Sequence, residues 1–156
     1  MPIMFDALAT FFRNESWPYT QIDNQPALQL GYRGEAGEWL CYCQARDDVF
    51  QFVFHSVCPL TVPPAKRLAM AEFLTRANYG MLIGNFEMDF EDGEIRYKTS
   101  VNLEDTNLTD SMIRPQVYAN VLMMDKYLPG INSVIYSDVA PKDAIFTIES
   151  AVPKSD

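Results

Sequence analysis

The sequence predicts an α+β fold: an antiparallel sheet of about five strands with helices at the N-terminus, in the middle and at the C-terminus. Three observations predict it. The spacing of apolar residues switches between a period near 3.6 and a period of 2 along the chain. Turn-forming residues punctuate the switches. Residues 85–101, NFEMDFEDGEIRYKTSV, place acids at alternate positions before a glycine and bases at alternate positions after it, which is the charge pattern of a β-hairpin.

The first element is a helix. In PIMFDALATFF, with Pro2 near its start, Phe5, Leu8, Ala9 and Phe12 form one apolar stripe, and the pattern ends near Asn14. From about Tyr19 to His55 the period is 2. Leu28, Leu30 and Tyr32 share a face, residues 34–37 make a turn, and EWLCYCQA and VFQFVFH are strands joined across Arg46, Asp47 and Asp48, so the region is an antiparallel meander. A second helix follows, with Pro63 and Pro64 suited to its first turn and Gly80 to its stop. Its polar positions Lys66, Arg67, Glu72, Thr75 and Arg76 leave an apolar sector of Leu68, Ala69, Phe73, Leu74 and Ala77, wide enough to touch two surfaces.

If Asp92-Gly93 is the two-residue loop of the hairpin, Phe90 meets Ile95 and Met88 meets Tyr97 on one face. On the other face Asp89 meets Arg96 and Glu87 meets Lys98. After Leu108, Thr109 can cap a third helix carrying Ile113, Val117, Val121, Met124 and Leu128. Pro115 predicts a kink near Ser111 or a later start. Pro129 interrupts, INSVIYS adds a turn or two, and APKDAIFTIE is a short closing helix.

The chain of 156 residues suits one domain, residues 1–156, with 48% hydrophobic residues and enough length for a sizeable core. A net charge of -9 opposes nucleic acid, whose phosphates need a basic patch, and opposes anionic membrane surfaces. No apolar run reaches the length of a membrane span. The odd set Cys41, Cys43 and Cys58, with no apolar leader at the start of the sequence, predicts reduced thiols in the cytoplasm.

Glu87, Asp89 and Glu91 are acids of the kind that bind a metal or serve as a carboxylate pair, but their register partners are basic and the hairpin reading takes precedence. Cys41, Cys43, His55 and Cys58 are a sufficient ligand set for zinc and form the alternative reading, a metal protein or enzyme. A three-residue loop at 46–48 would put Cys41, Cys43 and His55 on one face, whereas a two-residue loop would join the cysteines to Phe52 and Phe54. His55 is the one imidazole base, and Ser56 points to the other strand face. No glycine-rich phosphate loop and no nucleophile elbow occur, so no cofactor is expected. Tyr118, Met123, Met124 and Tyr127 lie beside the main stripe of the third helix, as core or as a partner surface.

Residues 62–101, VPPAKRLAMAEFLTRANYGMLIGNFEMDFEDGEIRYKTSV, followed by Leu108-Thr109 and by MDKYLPGI at 124–131, resemble the YbjN family of bacterial proteins, labelled sensory transduction regulators. The resemblance runs from about Phe5 to about Glu149. Its specific parts are Arg76-Ala77-Asn78, Gly84, Asp89 with Asp92-Gly93, and Tyr127-Leu128-Pro129. It implies an α+β domain similar to type III secretion chaperones, small acidic dimers that hold an extended client segment, and it implies no catalytic residue. The expectation is therefore a non-enzymatic cytoplasmic binding or regulatory protein, a homodimer with a protein or peptide partner. Ligand sensing in a pocket between sheet and helices leaves no linear motif and stays open.

Overall fold

The structure, a computed structural model, describes residues 3–151. Pro2, expected at the start of the first helix, lies outside them. The elements in chain order are α1 (Ile3–Asn14), β1 (Tyr19–Gln21), β2 (Ala27–Arg33), β3 (Glu38–Arg46), β4 (Gln51–Val57), α2 (Arg67–Asn78), β5 (Asn85–Met88), β6 (Ile95–Asn102), α3 (Asp110–Tyr136) and α4 (Pro141–Ser150). A short 3-10 turn at Pro64–Lys66 leads into α2. The α+β class holds, with six strands rather than about five. The extra one is the three-residue β1, too short to announce itself by alternation.

The sheet is antiparallel throughout, in the order β1-β2-β3-β4-β6-β5. Its alternation sorts residues cleanly onto two faces. Trp39, Cys41, Cys43 and Ala45 of β3, Phe52, Phe54 and Ser56 of β4, and Ile95, Tyr97 and Thr99 of β6 are buried on one face. The helices pack there. Phe12 of α1 stacks on Phe54 with ring centroids 6.3 Å apart, and Tyr127 of α3 meets Phe73 of α2 at 6.3 Å and Phe86 of β5 at 5.6 Å. Asn120 of α3 donates its side-chain amide to the Phe54 and Tyr97 carbonyls at 2.9 and 3.0 Å, fastening the helix across β4 and β6.

In α3 the structure corrects two expectations. The helix starts at Asp110 rather than later and runs unbroken through Pro115 and Pro129, with Thr109 at the expected N-cap position although its side chain makes no capping bond. An interior proline costs about 3 kcal/mol or more. Burial of Ile113, Val117, Val121, Met124 and Leu128, at roughly 1.5–3 kcal/mol per large apolar side chain, outweighs it.

Both hairpins close differently from expectation. The β5–β6 pairs are Met88 with Ile95, Glu87 with Arg96, Phe86 with Tyr97 and Asn85 with Lys98, a shift of two residues from the register that a two-residue Asp92-Gly93 loop would impose. A shift of two keeps every side chain on its face, so the opposed charges survive with new partners. Asp89 lies in the turn instead of opposite Arg96, and Phe90, expected against Ile95, is exposed. The turn is held from outside the hairpin: the Gly93 carbonyl accepts from the Val62 N–H at 3.0 Å, and Arg67 donates to the Val62, Phe90 and Glu91 carbonyls. Gly93 has φ of +79°, and a Cβ there would collide with the Val62 carbonyl.

The β3–β4 connection spans residues 47–50, since Arg46 pairs with Gln51 and Cys43 with Phe54. It is neither the three-residue nor the two-residue loop that the sequence left open. Phe50 enters the left-handed region with φ of +54° to close it.

Candidate functional site

Among the described residues no helix lies over the second sheet face. Tyr42, Val53, His55, Val57, Arg96 and Lys98 are half-buried there, and Leu40, Gln44, Arg46, Ser100 and Asn102 are exposed. A depression of about 450 Å³ crosses β3, β4 and β6 at this face, its wall including Arg46, Gln51, Val53, His55, Glu87 and Lys98. A second hollow of about 510 Å³ lies at the β2–β3 end, lined by Gly31, Arg33, Glu38 and Leu40 among others. Arg33 and Glu38 form an ion pair in it.

The electrostatics of the first depression centre on Glu87. Its carboxylate lies 3.0 Å from Lys98 Nζ, 3.7 Å from Arg96 Nη2 and 3.7 Å from His55 Nε2. Burial and the Arg96 guanidinium hold the His55 imidazole below its ordinary value, and Glu87 offsets them in part. Its stable form at neutral pH is therefore uncharged. Arg46 stands at the opposite end with Asp48 at 4.0 Å, both well exposed.

The expected ligand and nucleophile sets do not converge. Cys41 and Cys43 face the helices and His55 faces the open side, because the register of β3 with β4 leaves His55 opposite Tyr42. Ser56 lies buried beside Cys41, with 3.6 Å between sulfur and hydroxyl. Among the described residues no group of three or more His, Cys, Asp or Glu is placed to hold a metal. Burial pushes the thiols of Cys41 and Cys58 up to about 12 and about 11, and Cys43 well above its ordinary value. Protonated thiols are poor nucleophiles and poor metal ligands. Asp89 turns its carboxylate to the Glu91 N–H at 2.8 Å, and Glu91 is exposed, so the three-acid strip is dispersed with Glu87 alone on the open face.

The residues that carried the family resemblance are joints of the framework. The Asn78 side chain accepts from the Phe86 N–H at 2.7 Å and donates to the Phe86 carbonyl at 3.1 Å, so it occupies the outer edge of β5 as a neighbouring strand would. Asp92 accepts from the Glu94 N–H at 2.9 Å within the turn. The Asp125 carboxylate accepts from the Glu35 and Ala36 N–H groups at 3.0 and 2.8 Å, and a Cβ on Gly34 would collide with it. Tyr127 and Leu128 are core, with Met124, whereas Tyr118 and Met123 are half-buried at its margin.

A larger depression, about 570 Å³, lies beside α1 and is lined by Phe5, Pro26 and Ala45 with Asp6, Asp47 and Asp48. Asp47 there accepts from the Met4 N–H at 3.3 Å and so serves the first turn of α1. Apolar side chains are exposed elsewhere too: Leu68 of α2 at 81%, and Tyr79 and Leu82 in the loop after it at 90% and 98%. Sequence reasoning placed Leu68 in an apolar sector wide enough to touch two surfaces and saw Arg96 and Lys98 only as register partners. It missed the roles of Arg46 and Phe50, whose one signal is their place at the ends of alternating runs. No helix among the described residues is long and apolar enough to cross a membrane.

Comparison with known proteins agrees with this architecture. The crystal structure of YbjN from E. coli is similar, with a TM-score of 0.59 at 15% identity over 85% of this chain and 89% of that one. So is a chain of the ExsC–ExsE complex, with a TM-score of 0.54 at 10% identity over 81% and 91% of the two chains. No curated protein matches the sequence. At these identities the two structures bear on the fold alone. The sequence profile of the YbjN family, described as "Putative bacterial sensory transduction regulator", matches residues 5–133, and with most of the chain so covered the protein belongs to the YbjN family.

Proposed function

We propose that this chain is a single, non-enzymatic regulatory domain of the cytoplasm, a homodimer that holds a segment of a partner protein on the open face of its sheet. The observation that carries the reading is the sidedness of the sheet. Helices α1, α2 and α3 pack on one face, while the other presents half-buried Tyr42, Val53, His55 and Val57 with no element among the described residues over them. Three central strands at about 4.8 Å spacing, and seven residues of β4 at about 3.3 Å each, offer a platform of roughly 10 by 23 Å. An extended segment of about seven residues fits that length. The family description as a regulator and the appearance of a similar chain in a two-protein complex support the reading. The exposed Leu68, Tyr79 and Leu82 supply apolar surface for a second copy.

A photo-crosslinking residue at Ser100, on the open face, should yield a reproducible adduct with a partner protein in the native cell, and one at Lys142, exposed on α4, should not. No adduct from Ser100, or equal adducts from both positions, would refute the assignment. Sedimentation should give twice the monomer mass, and a monomer at high concentration would remove the dimer from the proposal.

A further inference from the structure

We infer that the depression across β3, β4 and β6 takes an acidic extended peptide segment, whose carboxylates pair with Arg46, Arg96 and Lys98. The inference rests on the open-face reading above and names the chemistry of its partner.

Charge complementarity carries it. The chain as a whole has a net charge of -9, yet this depression brings together three permanent cations and a single carboxylate. Glu87 is shared by Lys98 at 3.0 Å and Arg96 at 3.7 Å. Arg96 Nε also lies 3.6 Å from Glu94, a pair nearly half exposed at the rim that contributes little. Within the lining itself one acid therefore stands between two bases in a half-buried setting, where charge is screened less than on open surface. Among the described residues Arg46 is paired with Asp48 at 4.0 Å, an exposed pair that contributes little and exchanges readily for a better partner. Gln44, Gln51, Ser100 and Asn102 add uncharged donors and acceptors suited to a peptide backbone.

The rest of the molecule sharpens the choice. An acidic segment is repelled by the acidic body and attracted to this patch, an arrangement that gives specificity more than raw affinity. A nucleic acid, with phosphate charge at every step, meets the same repulsion along its whole length and finds only three cations.

The test uses a fluorescein-labelled nine-residue peptide of alternating Glu and Val, the same peptide with Lys for Glu, and a single-stranded DNA nonamer, each titrated into the full chain and read by anisotropy. The Glu peptide should bind at least ten-fold tighter than the Lys peptide or the DNA, and added salt should weaken it. R96Q/K98Q should lose at least ten-fold in affinity. E87Q, which removes the internal competitor, should gain several-fold, an effect that a merely structural role would not produce. Circular dichroism checks that both variants are folded. Equal binding of the two peptides, stronger binding of the DNA, or an unchanged affinity of E87Q would overturn the inference. If those results came while Ser100 still gave its crosslink, the acidic chemistry would be wrong and the open-face site would stand. Failure of both would refute both.

Discussion

Replacing Asn78 with alanine removes the amide that occupies the outer edge of β5. Two bonds go, the one from the Phe86 N–H at 2.7 Å and the one to the Phe86 carbonyl at 3.1 Å. Each bond of this kind contributes about 0.5–1.5 kcal/mol net. The carbonyl keeps a donor in Asn85 Nδ2 at 3.2 Å, so the loss falls mainly on the N–H. The expected destabilisation is about 1–2 kcal/mol, or close to 1 M in the urea midpoint at an m-value of about 1.5–2 kcal/mol/M. The variant also bares a strand edge, which is a template for pairing with another chain. Urea unfolding followed by circular dichroism reads the first effect, and sedimentation velocity over a concentration series reads the second. Asn85→Ala is the control and should cost clearly less, since Asn85 is exposed and spares the N–H. A change under about 0.5 kcal/mol for Asn78→Ala, the scatter of ordinary surface substitutions, with unchanged sedimentation, would refute the edge role.

Three further outcomes follow from the same structure. Gly93→Ala forces a Cβ onto the Val62 carbonyl at φ of +79° and should lower stability by about 2 kcal/mol or more, measured by urea unfolding; an unchanged midpoint would mean that the turn yields freely. His55 is held below its ordinary value of 6.5, so the unfolded chain binds more protons than the folded one as pH falls through that value. Stability should therefore decline on acidification from about 6.5 through the lower folded value, and His55→Asn should flatten that part of the curve; a larger acid-side loss in the variant would reverse the sign. Cys41, Cys43 and Cys58, buried and with raised thiol values, should resist alkylation at neutral pH in the native protein and react fully in denaturant. Rapid native labelling of any of them would contradict their burial.

Local periodicity carried the fold a long way. The stripe of Leu8, Ala9 and Phe12, the alternation from Leu28 to His55 and the spacing from Ile113 to Leu128 each lie within one element, and each element formed where its pattern stands. The failures share a cause: contacts from elsewhere in the chain. Val62 and Arg67 hold the Gly93 turn open beyond two residues, and nothing within residues 85–101 reveals them. The β3–β4 loop closes on a left-handed phenylalanine, where a reader looks for glycine or asparagine. Pro115 and Pro129 read as breaks because local rules cannot see the burial that carries the helix across them. The open face was the least legible part. Gln51, Val53, His55 and Val57 mix polar and apolar residues in the same alternation, and that mixture is compatible with a covered face or a bare one until the helices are placed.

The bond from Asp125 to the loop between β2 and β3 reaches over about ninety residues of chain. During synthesis at about 5–20 residues per second, the early strands leave the ribosome several seconds before the helix that shelters them. Non-local closure of this kind slows folding and prolongs the exposure of unprotected strands. A chain truncated ahead of α3 should accordingly collect in aggregates, and the rate at which nascent chains become protease-resistant should follow the emergence of Asp125 rather than completion of the meander.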